Sequence, residues 1–279
     1  MDSPSNNSSP VGRLIPVLIV FAGLIGLFYL YQYLFGPKTG VSYPLIEQNR
    51  VANVDPNKPI TVASDKLPSL FEGGEFSVST WLYINNWSYR QGKNKHVLSV
   101  GGPNFDTIRI YIGGSKPKLS VRLHTKEQSA VTNGVSNSSN PTESLGKDNI
   151  AQTFDSLQTD SGLLDSTPMC DLPDVDLQRW INLTVAVNGK TVDVYLDGKL
   201  SRSCVLPALF KVDAGGYSAT LLSYGGFGGQ ISNTTMYDAA LNPEAVYKGY
   251  MAGPEPITTI GGWFSSFFAP GVSINVSTK

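Results

Sequence analysis

The stretch Leu183 to Leu200, LTVAVNGKTVDVYLDGKL, limits what this chain can fold into more than any other segment. Apolar residues recur at every second position on both sides of Asn188-Gly189, and Asp197-Gly198 follows one strand later. A period of two sets Leu183, Val185 and Val187, then Val192, Val194 and Leu196, on one face of a pleated ribbon. Asn-Gly can supply both positive-φ positions of a type I′ turn, so the segment reads as a β-hairpin turning at Asn188-Gly189. Val185 and Val194 are expected inside a larger structure, with the turn residues serving geometry rather than chemistry.

The same alternation recurs upstream. Residues 75–84 (EFSVSTWLYI), 96–100, 107–112 and 118–125 read as strands, and residues 177–187, 191–196, 219–224 and 229–237 continue the series. A polar face opposite each apolar one is what an antiparallel sheet with one side in water produces. Asn242 followed by Pro243 marks the start of one short helix. Residues 126–176 break the pattern with SAVTNGVSNSSNPTESLGKDN and an acidic stretch, and read as a long insertion. Only 15% of the 279 residues are charged and the formal net charge is −1. Nucleic-acid binding would need a clustered basic excess, so that class is excluded.

Residues 14–35, LIPVLIVFAGLIGLFYLYQYLF, carry no charge. About 22 residues at 1.5 Å rise match a ~30 Å hydrocarbon core. Arg13 and Lys38 bracket the run, and Tyr29, Tyr31 and Tyr33 crowd its end as an aromatic belt would. The expectation is a single-pass membrane protein, with the lipid bilayer as partner, a polar tail at 1–13 and an extended arm at 36–59. The flanking charges are too even to orient it. At the other end, residues 254–279 carry Trp263, Phe264, Phe267 and Phe268 between Gly and Pro breakers. That cluster reads either as a last strand folding back or as an apolar surface for a partner protein or membrane.

The order FSVSTWLYI, HVLSV, IRIYI, KLSVRL, RWINLTVAVNGKTVDVYLDGKL, YGGFGGQISNTTMYDAALNPEAVYKGY resembles the concanavalin A-like lectin/glucanase superfamily, specifically its laminin-G-like jelly rolls. The residues that carry the resemblance are Trp180 ahead of a strand, the turn from Tyr195 to Lys199, and the run from Gly228 to Val246. It covers roughly residues 71–250. It implies an all-β fold, an antiparallel β-sandwich (jelly roll) over residues 60–253, preceded here by one transmembrane α-helix. A single span, a Ser/Asn-rich leader and such a domain are also similar to membrane-anchored minor capsid proteins of large DNA viruses. That likeness implies a structural protein tying an internal virion membrane to the capsid shell, with other capsid proteins as partners. The alternative is a cell-surface or lumenal lectin-like receptor for carbohydrate or protein.

No enzyme is expected. The superfamily's glucanases place two Glu and an Asp on one strand as E-x-D-x-x-E, and no such run exists here. Asp193 falls on an outer face and Asp197 in a turn. The two histidines, His96 and His124, are too few for a metal-hydrolase cluster and read as sheet residues. The glycines of YGGFGGQI precede a strand, so they suit a bend or bulge rather than a phosphate loop. No cofactor is expected, and Asp106, Asp171, Asp174 and Asp176 read first as solvated acidic residues; the resemblance adds calcium as the alternative, with these four as its candidate oxygen ligands. Asn86, Trp87 and Tyr89 form a candidate glycan platform. Cys170 and Cys204 are either one disulfide or two buried thiols. Sequons begin at Asn6, Asn7, Asn86, Asn137, Asn182, Asn233 and Asn275, and matter only if the domain enters the secretory lumen.

Overall fold

The computed structural model describes residues 10–35, 40–125, 145–147, 150–157 and 170–255. The chain divides into two units, residues 39–257 and a second made of residues 1–38 and 258–279. In the first unit the strands are β1 (Ser42–Ile46), β2 (Arg50–Val51), β3 (Ile60–Val62), β4 (Glu75–Asn86), β5 (Lys95–Gly101), β6 (Asp106–Ile112) and β7 (Leu119–Leu123), then β8 (Trp180–Asn188), β9 (Thr191–Leu196), β10 (Lys199–Val205), β11 (Ser218–Leu221) and β12 (Gly228–Tyr237). A seven-stranded sheet runs β1-β12-β4-β8-β9-β10 with β2 beside β12, and a five-stranded sheet runs β3-β11-β5-β6-β7. All pairings are antiparallel.

One face of each sheet feeds a shared apolar cluster. Val78, Leu82, Val185 and Val194 come from the larger sheet, and Val97, Ile108, Ile110 and Val121 from the smaller. The fold is therefore a two-sheet antiparallel β-sandwich. Val185 and Val194 are both fully buried, as the period of two requires. Phe76 meets Phe210 edge to face at 5.3 Å in the same core.

Turn chemistry corrects the hairpin by one residue. Asn188 still pairs with Thr191, so the two-residue turn is Gly189-Lys190, with Gly189 at φ +58°. Glycine at the first central position suits a type II′ turn rather than I′. The next turn, Asp197-Gly198, has both residues at positive φ and is the I′ case. The following strand, β10, had no apolar period to announce it, because it is a largely exposed edge. Residues 42–51, read from sequence as part of an extended arm, instead form β1 and β2 against β12. Within the insertion, α2 (Ile150–Asp155) and bridges at Gly146 and Leu172 are described. The helix begun at Asn242 is α3 (Pro243–Ala252), where Asn242 Oδ1 accepts from the Ala245 N–H at 2.8 Å.

In the second unit, α1 (Pro10–Phe35) is a helix with Pro16 inside it. Among the described residues no helix is long and apolar enough to cross a membrane. The single-pass localisation expected from residues 14–35 is corrected accordingly.

Gly229 allows β12 to approach β4 where the register shifts between Gly228 and Gly229. A Cβ at Gly229 would lie 1.9 Å from the Tyr83 carbonyl oxygen. Gly229→Ala is therefore expected to cost about 1–3 kcal/mol, read as a lower urea midpoint with an unchanged slope.

Candidate functional site

The loop after β4 was the expected glycan platform. Asn86 is exposed, and its Oδ1 accepts from the Tyr89 N–H at 3.3 Å. The Trp87 ring packs against the core and carries Lys95 Nζ at 4.1 Å over its face. The Tyr89 hydroxyl donates to the Gly225 carbonyl at 2.9 Å. Each side chain thus has a structural contact, and the indole face a sugar would use holds an ammonium group. Burial and the neighbouring Arg90 push Lys95 down to about 8.

The four aspartates do not converge on a cation site. Asp106 is buried and binds Arg109 and Lys147. Asp171 is buried and binds Arg122 and Lys118. Asp176 pairs with Arg179, and Asp174 is exposed. Carboxylates already committed to guanidinium and ammonium groups do not fit calcium, which needs six or more converging oxygens. Among the described residues no three His, Cys, Asp or Glu come together as a metal site. Cys170 and Cys204 are joined as a disulfide with Cα atoms 5.8 Å apart. Of the described sequons, Asn182 is buried, Asn233 donates to the Gly253 carbonyl at 3.4 Å, and Asn86 is exposed. Trp263, Phe264, Phe267 and Phe268 lie outside the described residues, as do Asn6, Asn7, Asn137 and Asn275.

Two other surfaces come together that the motifs did not single out. The first is the face of the five-stranded sheet turned away from the core. Register sets His96, Tyr111 and Ser120 in one row and Ser99, Arg109 and Arg122 in the next. Alternation predicted this polar face to be wet, yet every one of these side chains is buried. The insertion covers it. Phe154 from α2 stacks on Tyr224 at 4.9 Å and packs against His96 at 5.2 Å and Tyr111 at 5.7 Å. Arg90 and Asn94 hold that helix by donating to the carbonyls of Phe154 at 2.5 Å and Thr153 at 3.0 Å.

The second surface is the outer face of the seven-stranded sheet. Gln230, Tyr83 and Trp180 are cross-strand neighbours on β12, β4 and β8. The Tyr83 and Trp180 rings lie 5.5 Å apart and both are half-buried. Asn49 donates to Gln230 Oε1 at 2.9 Å on one side. On the other, Arg179 binds Asp197 at 2.5 Å and Asp176 at 2.6 Å. The next row is covered: Tyr250 of α3 stacks on Trp81 at 5.7 Å, and Ser232 donates to the Pro254 carbonyl at 2.5 Å. Because α3 stops there, the row of Tyr83 and Trp180 keeps part of its surface open. The only signal for it in the sequence was that both aromatics occupy outward positions of their strands.

No family model matches the chain, and no curated protein matches it in sequence. Solved structures similar to it include the botulinum neurotoxin serotype D ligand binding domain in complex with N-acetylneuraminic acid, at 11% identity and TM-score 0.47, covering 78% of this chain and 47% of that one. The receptor binding domain of botulinum neurotoxin D gives 12%, 0.47, 77% and 53%, and the botulinum neurotoxin type G receptor binding domain 11%, 0.39, 75% and 42%. The chain spans about half the length of these structures. Likeness at this level carries no argument about what the chain binds.

The covered face makes one prediction about acid stability. His96 Nδ1 accepts from the Ser223 N–H at 3.2 Å, so the neutral ring carries its proton on Nε2. Burial, with Arg109 and Lys147 adding to it and Asp106 opposing, pushes His96 down to about 3. The unfolded chain takes up this proton near pH 6.5 and the folded one does not. Stability linked to His96 is therefore whole above pH 6.5 and is lost as pH falls toward 3, by about 1.4 kcal/mol per pH unit. Urea titrations at several pH values should show His96→Gln losing less stability than the wild type between pH 6.5 and 4.

Proposed function

We propose that this chain is a non-catalytic, lectin-like binding module of the concanavalin A-like kind, holding a glycan on the open outer face of its seven-stranded sheet. One observation carries the reading: the half-buried pair Tyr83 and Trp180, in line with the amide of Gln230 and beside Asn49. Sugar rings present C–H faces that pack on aromatic rings, while their hydroxyls need fixed amides and charged groups around the edge. Arg179, neutralised by Asp176 and Asp197, adds oriented donors without a strong net charge.

The non-catalytic part draws support from the carboxylates. Glycoside hydrolysis needs two carboxyl groups facing one cleft, one of them poised to give up a proton. Asp106 and Asp171, the buried ones on the covered face, are each bound by two cations. A structural role between a viral membrane and a capsid shell drew on residues 14–35 and on the aromatic tail. No described helix crosses a membrane, and Trp263 to Phe268 lie outside the described residues, so no observation favours that role.

A glycan array followed by calorimetry on the full chain tests the proposal. Tyr83→Ala and Trp180→Ala are each expected to weaken glycan binding about tenfold, or 1.4 kcal/mol, with unfolding midpoints near wild type. Trp87→Ala is expected to leave affinity unchanged, since Lys95 already covers that ring. Full affinity in the Tyr83→Ala, Trp180→Ala double variant, or loss of binding in Trp87→Ala, would place the site elsewhere.

A further inference from the structure

The covered face of the five-stranded sheet holds more unmet hydrogen-bonding capacity than packing explains. His96 Nε2, Thr107 Oγ1, Arg109 Nη1 and Ser120 Oγ are buried without a hydrogen-bond partner. Their residues are no more than 1% exposed, and they occupy three adjacent strands. Each unmet group costs about 1–3 kcal/mol, and native domains leave few of them. All four can donate: Arg109 always, His96 because its Nδ1 is occupied by the Ser223 N–H, and the two hydroxyls by rotation. What complements four donors is a group that only accepts.

Charge agrees with this. Asp106 is shared between Arg109 and Lys147, two cations to one carboxylate, and Arg109 keeps Nη1 unused. Against these groups the chain sets an apolar ring. Phe154 lies 5.9 Å from the Arg109 guanidinium carbon, edge to face with His96, and flat on Tyr224 with 6° between the planes. A π face meets a cation only in part, and it satisfies none of the hydroxyls.

We propose that Phe154 is a displaceable plug over a binding site for an oxyanion carried on a flat ring. The ligand's ring takes the Phe154 slot against Tyr224, and its carboxylate receives Arg109 Nη1 and the His96 Nε2–H, with Thr107 and Ser120 at the rim. This site is separate from the glycan row on the other sheet, so either can fail alone.

The probe is benzoate, with benzyl alcohol as its neutral counterpart, titrated into the full chain at constant ionic strength. Phe154→Ala is expected to bind benzoate at least tenfold more tightly than benzyl alcohol and at least tenfold more tightly than the wild type does. Adding Thr107→Val to Phe154→Ala should weaken benzoate binding and leave benzyl alcohol unchanged. Equal binding of the two probes would mean an apolar cavity only, and no binding would mean that water meets these donors; both overturn the proposal. Phe154→Leu carries the same expectations if the alanine variant does not fold. The wild type gives an arm that needs no variant: benzoate should speed amide exchange in α2 (Ile150–Asp155) and leave β8 unchanged, and unaltered α2 exchange at saturating benzoate would also overturn it.

Discussion

The buried carboxylate of Asp171 fixes how the rest of this molecule closes. It receives Arg122 and Lys118, and its Oδ1 also takes the Val121 N–H at 3.2 Å, all from the β7 side of the five-stranded sheet. Its own carbonyl accepts from Arg202 of β10 at 2.8 Å, and its neighbour Cys170 is bonded to Cys204 on the same strand. One short segment therefore ties the edge of one sheet to the edge of the other. Removing such a carboxylate would leave buried cations uncompensated, which costs about 3–5 kcal/mol. The pairing is thus a condition for the closed sandwich more than a source of net stability.

That closure has consequences on both sheets. With the insertion returning along β7, the polar second face of the smaller sheet cannot stay wet, and side chains that would normally bond to water are sealed beneath α2. Burial then keeps His96 neutral and leaves donors on that face without partners. The larger sheet is covered differently. There α3 shields the row containing Trp81 and stops before the row of Tyr83 and Trp180. The same architecture gives one closed polar face and one open aromatic row, two chemically distinct surfaces on a single scaffold.

The sandwich was legible because its signals are local. A period of two in residues 75–84, 107–112 and 183–196 depends only on which residues face the core, and those strands lie where that period places them. Asn242 and Pro243 announce a helix start by the same local logic. What stayed hidden depends on distant partners. Edge strands β1 and β10 have little apolar period because one or both faces are exposed. The turn at Gly189-Lys190 was misplaced by one residue because Asn188 was free to pair instead. Asp106 and Asp171 looked like metal ligands in the sequence, where nothing shows that Arg109, Lys147, Arg122 and Lys118 would reach them. Tyr83 and Trp180 are far apart in the chain and become a pair only through the register of β4 with β8.

Amide hydrogen exchange at Leu119 and Val121 tests the central claim, that the returning insertion seals the five-stranded sheet. Both N–H groups point away from β6. One donates to the Leu172 carbonyl at 3.0 Å and the other to Asp171. If the seal exists in solution, these edge amides exchange nearly as slowly as those of β8 in the centre of the other sheet. Exchange within seconds at Leu119 and Val121, with β8 still protected, would mean that the edge of the sheet is open and its polar face wet.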